Sequence, residues 1–182
     1  MGASYEGVKK NHRLLVGLYE MQNLEAFLVT VATETKDRAP DEMSKRILNK
    51  WAIESTKHFK MIEEAIDLLG EEAKTVGDQC YHCIEDMTGW SLVFKYAKKY
   101  ILGDATPRKK PLQVRDLYTL AKRNLELKED AAERYSKLSR LVPNRKAKDI
   151  LIQLSALERE QHVEAQLLID TLEKMYRPTL KQ

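Results

Sequence analysis

Apolar residues return every three to four positions along most of this 182-residue chain, the period of one buried helix face, and they predict four long helices. The first covers about residues 11–37, on a stripe of Leu14, Leu18, Met21, Leu28 and Ala32 that has Glu25 at its middle. Pro40 and Asp41 open a second, which reaches residue 69 and closes at Gly70, a suitable C′ glycine. After Pro111 a third helix continues to residue 141 with Leu117, Leu120, Ala121, Ala131, Tyr135 and Leu138 inward. Pro143 separates it from the fourth, residues 145–176, with Pro178 beyond its end. Short turns make each consecutive pair an antiparallel hairpin, 11–70 and 111–177. Residues 71–110, with Gly77, Gly89 and Gly103, are enough to cross the length of a bundle. Within them 85–102, carrying Trp90, Phe94, Tyr96 and Tyr100, predicts a short extra helix that covers the bundle or meets a second subunit. The expected architecture is all-α: a single domain, 1–182, built as an antiparallel four-helix bundle with a long crossover.

Polar residues inside these stripes carry the chemistry. Glu54 and His58 share the face of Ile47, Trp51, Met61, Ala65 and Leu69. Glu158 and His162 share the face of Leu151, Leu154, Ala165, Ile169 and Leu172. A shift of 104 residues carries the first pair onto the second, as if one hairpin were used twice. Buried carboxylates need a cation, a hydrogen bond or a proton, so the pattern asks what compensates them.

Composition narrows the field. A net charge of +3 with interleaved signs is too mild for a nucleic-acid partner, and Lys98-Lys99 and Lys109-Lys110 read as solvated surface. No unbroken apolar run approaches the roughly 20 residues that cross a bilayer, and no signal-peptide pattern opens the chain, so a cytoplasmic location without a membrane partner is expected. Glycine-rich phosphate loops and nucleophilic serine motifs are lacking.

Two hairpins, a long crossover, and a Glu followed by Glu/His in each half resemble the ferritin-like superfamily, particularly its rubrerythrin-like branch. The resemblance implies two iron atoms held by one glutamate from the first helix and a Glu-x-x-His from the second helix of each half. It assigns Glu25, His58 and His162 to ligand positions. Ser55 and Arg159 stand three residues before the histidines, so Glu54 and Glu158 are one place early. On the third helix an offset of 103, matching Leu14 with Leu117, sets Lys128 against Glu25; an offset of 104 sets Glu129 there, about 100° from Lys128 at the margin of the apolar face.

Two versions of the core follow. In one, Glu25, Glu54, His58, Glu129, Glu158 and His162, with Glu126 as a further candidate, hold iron or manganese (zinc is also compatible), and the resemblance implies peroxide or oxygen chemistry with an unidentified electron donor. In the other the protein is a metal-free scaffold or interaction protein whose carboxylates pair with Lys128 and Arg159. Tyr135 is inward in both, as packing or as a redox neighbour. Cys80, His82 and Cys83 make half a zinc knuckle, which a symmetry mate could complete; the alternatives are a redox-responsive thiol pair and ordinary reduced cysteines. His12 reads as a surface residue. A homodimer is expected.

Overall fold

The structure, a computed structural model, describes residues 5–70 and 111–180, with side chains described for 13–70 and 111–176. The described residues form four helices and no strand: α1 (Tyr5–Lys36), α2 (Glu42–Asp67), α3 (Val114–Ser139) and α4 (Arg145–Leu180). The expected extra helix, the cysteine pair and the His12 side chain lie outside the described residues.

Local chemistry sets the helix ends. Asp41 caps α2, accepting from the Ser44 N–H at 2.7 Å, and Gly70 follows that helix with φ 84°. At the start of α3 the Asp116 carboxylate accepts from the Gln113 N–H at 3.0 Å. Asn144 opens α4 by accepting from the Ala147 N–H at 3.1 Å, and its amide donates to the Leu68 carbonyl at 3.1 Å. One side chain thereby ties the start of α4 to the end of α2. Two boundaries differ from expectation by four residues or more. α1 begins six residues early, at Tyr5, ahead of the first inward leucine, and α4 continues to Leu180 across a break at Tyr176 (φ −123°, ψ 24°).

α1 packs chiefly on α2 and α3 on α4, with a smaller α2–α4 contact and the least between α1 and α3. The Leu112 N–H donates to the Arg38 carbonyl at 2.6 Å, so α3 starts where α1 ends. Since α2 also starts there, α2 and α3 run the same way and the chain leaves α2 at the end opposite to the one where it enters α3. Gly17 lets α1 lie close against α3, because a Cβ there would stand 2.5 Å from Leu138 Cδ2.

The core has two apolar layers. One gathers Leu14, Leu18, Met21, Ile62, Leu127, Tyr135, Leu151 and Leu154; the other Leu48, Trp51, Leu117, Ala121, Ala165, Ile169 and Leu172. On α2, α3 and α4 the polar positions 58, 128 and 158 fall where one layer gives way to the other. The expectation about membrane spans needs correcting. Within α1 the stretch Arg13–Lys36 is long and apolar enough to cross a bilayer, although half of it is buried in the bundle. Glu20, Gln22, Asn23 and Glu25 interrupt the consecutive run, but averaged over the helix they are too few to make it polar.

Candidate functional site

The central cluster takes one side chain from each helix. Glu25 comes from the inward stripe of α1, His58 from α2, Lys128 from α3 and Glu158 from α4. All four are buried, with Glu25 and Glu158 at 0% and Lys128 at 1% exposure. The His58 Nδ1 lies 2.6 Å from Glu158 Oε1 and 3.5 Å from Glu25 Oε1. Lys128 Nζ stands 3.0 Å from Glu158 Oε2, an ion contact not aligned as a hydrogen bond. The Tyr135 hydroxyl donates to Glu25 Oε1 at 3.0 Å. Tyr135 is thus the fifth member, and a face offset of 103 explains its reach: it stands where α1 has the small Ala32.

Charge follows from this geometry. Burial works against the imidazolium of His58, but hydrogen bonds and charge from Glu158 and Glu25 outweigh it and raise its pKa to about 9. Burial would likewise raise the Glu25 carboxyl; the Lys128 charge and the His58 hydrogen bond win, and it falls to about 2. Burial raises Glu158, opposed by the Lys128 charge and reinforced by Glu25, as expected when two carboxylates share one cavity. Burial disfavours a charged Lys128, yet Glu158 and Glu25 overcome this and raise its pKa; Tyr135 is pushed well up by burial and by the Glu25 charge, so it stays a neutral donor. Near neutral pH Lys128 and His58 are cations and Glu25 is an ionised carboxylate, with Glu158 set between both cations. The cluster compensates itself.

Other sequence candidates lie elsewhere. Glu54 is half-buried, 3.6 Å from Lys50, whose ammonium also meets Glu164 at 2.5 Å across the α2–α4 seam. His162 is half-buried with Nδ1 3.2 Å from the Leu125 carbonyl, away from the other histidine. Glu129, Glu126 and Arg159 are exposed, so Glu129 joins no core ligand set and Arg159 pairs with no core carboxylate. The 100° step that separates Glu129 from Lys128 carries it out to solvent. Lys50 was not singled out in the sequence, although its position four residues before Glu54 signals an ion pair on the helix surface.

Chemically the cluster offers three ligand groups, Glu25, His58 and Glu158, with atoms all within 4.8 Å of one another. The six-ligand, two-metal arrangement does not fit. Ser55 and Arg159 replace two of its carboxylates, Lys128 replaces a third, and His162 is turned to a backbone carbonyl. Beside Lys128 a small cavity of about 10 Å³ is lined by Trp51, Ser55, Asn124 and apolar groups from α1, α2 and α3, space for roughly one water molecule and no organic substrate. Compared with known protein families, curated proteins and solved structures, the chain matches none.

Proposed function

We propose that this chain is a ferritin-like bundle that uses an internal lysine in place of a metal, and that it serves as a structural or interaction protein rather than as an oxidoreductase. Supporting the family reading are four helices in two antiparallel hairpins, α2 and α3 running the same way, and Glu25 and His58 at the positions the resemblance assigns. Fold likeness alone would not give a function, so the argument rests on the cluster.

The observation that carries it is Lys128 Nζ, 1% exposed and 3.0 Å from Glu158. An ammonium there supplies the positive charge that the carboxylates need. Any further cation would be repelled: two unit charges 4 Å apart oppose each other by about 4 kcal/mol at an effective dielectric of about 20, and a divalent ion feels more. His58 adds to the barrier, because with a pKa of about 9 its imidazole must lose a proton before it can bind a metal.

A second reading, a single iron or manganese ion on Glu25, His58 and Glu158, is favoured by the closeness of those three ligand groups. Elemental analysis of protein produced with iron and manganese supplements separates the two. The lysine reading expects no stoichiometric metal in the native chain and no rise in melting temperature on adding either ion. It also expects divalent metal to stabilise Lys128→Met. About one ion per chain in the native protein, lost in Glu158→Ala, would overturn it.

A further inference from the structure

The outer face of α4 carries an apolar row that the bundle does not use. Ile152, Ala156, Val163 and Leu167 are all exposed, the three larger ones at 49%, 58% and 60%. At about 100° and 1.5 Å per residue they fall within roughly 60° of one another along about 22 Å of helix. Single exposed apolar residues are ordinary, but a continuous row is a surface awaiting a partner. Its two flanks differ in sign. Lys148 and Arg159 lie on one side, Asp149 and Glu160 on the other, and among the described residues none of the four is held in an ion pair within the chain.

We infer that this face docks a second copy of the chain, α4 beside α4 and pointing the same way, about a two-fold axis parallel to the helices. In that arrangement each apolar residue meets its own counterpart, and the rotation brings the basic flank of one subunit to the acidic flank of the other. Lys148 then faces the partner's Asp149, and Arg159 faces the partner's Glu160, each pair occurring twice. An antiparallel docking would instead set like flanks together, Arg159 against the partner's Arg159 and Glu160 against the partner's Glu160. Along the apolar row the flanking charges therefore favour the parallel direction, while beyond its two ends Arg145 and Asp170, in the same band of the helix surface, would each stand opposite their own copies and confine the contact to the row. Ala156 within the row lets the two helix backbones come close. The inference stands on surface residues and does not depend on how the core cluster is compensated.

The test uses the full chain with Cys80→Ser and Cys83→Ser, so that any disulfide reports an introduced cysteine. Light scattering after size exclusion should give a dimer, and Leu167→Lys a monomer with unchanged helicity, because residue 167 is exposed, and with a melting temperature that no longer rises with protein concentration. Under mild oxidation Ala156→Cys and Val163→Cys should each cross-link to themselves. Arg159→Glu should weaken dimerisation roughly threefold to tenfold, and adding Glu160→Arg should restore it. A monomeric native chain, a dimer that survives Leu167→Lys, or cross-linking only between Ile152→Cys and Leu167→Cys subunits would each overturn the inference.

Discussion

The two Glu/His pairs, related by 104 residues in the sequence, take opposite roles in the fold. On α2 the histidine goes inward and the glutamate stays at the rim: His58 is buried, whereas Glu54 is half-buried beside Lys50. On α4 the glutamate goes inward: Glu158 is fully buried, and His162 stays half-buried against a carbonyl of α3. The cluster thus uses one member of each pair. The difference originates on the other two helices, where α1 contributes a carboxylate, Glu25, and α3 an ammonium, Lys128. Glu158 is held by Lys128 and His58, while Glu54 is left to a lysine at the surface. A repeat in sequence need not be a repeat in charge.

The largest expected contrast is between the glutamates. Glu158→Ala strands Lys128 and His58 in the core and should cost about 3–5 kcal/mol, while Glu54→Ala removes a partly solvated pair and should cost less than about 1 kcal/mol. Urea titrations followed by circular dichroism measure both; equal losses would abolish the asymmetry. Next comes the pairing itself. Lys128→Met should destabilise the chain by a similar 3–5 kcal/mol, and joining it with Glu158→Gln should cost less than the sum, with a coupling of roughly 0.5–3 kcal/mol in a double-mutant cycle. Strict additivity would place Lys128 outside the network.

A pH series sharpens the contrast between the histidines. His58 is raised from 6.5 to about 9, so its contribution is complete below pH 6.5 and is lost as pH rises through 9. Glu25 is lowered from 4.5 to about 2, so its contribution is complete above 4.5 and is lost as pH falls toward 2. Melting temperature should peak between those limits. His58→Gln should flatten the alkaline arm and His162→Gln should leave it standing; the reverse result would exchange their roles. The smallest effect belongs to Lys50→Ala, below about 1 kcal/mol and fading further in 1 M salt, where the screening length is only about 3 Å.

Much of this was legible in the residues. The face period placed Lys128 inward once Leu14 was matched with Leu117, but left Glu129 at the margin as a candidate ligand, and Pro40, Asp41, Gly70 and Pro143 bounded the helices because each has its own backbone chemistry. Depth within a face was not legible. Glu54 and Glu158 have the same angular position relative to their apolar neighbours, and only partners from other helices decide which sinks to the centre. The same limit applies to Arg159 and His162: periodicity gives direction around one helix axis and says nothing of what stands opposite.

Glu25 has a further consequence. It falls at the midpoint of Arg13–Lys36, the most lipid-compatible stretch of the described chain. During synthesis this segment leaves the ribosome before the helices that will cover it, and so passes through a stage when a bilayer and the unfinished fold compete for the same surface. An ionised carboxylate at the centre of such a stretch penalises insertion by roughly 2.5–3.5 kcal/mol on insertion-derived scales for charged residues. Replacing Glu25 by leucine would remove that safeguard as well as one arm of the cluster. The charge that Lys128 and His58 neutralise in the finished bundle also raises the cost of moving the bare helix into a bilayer.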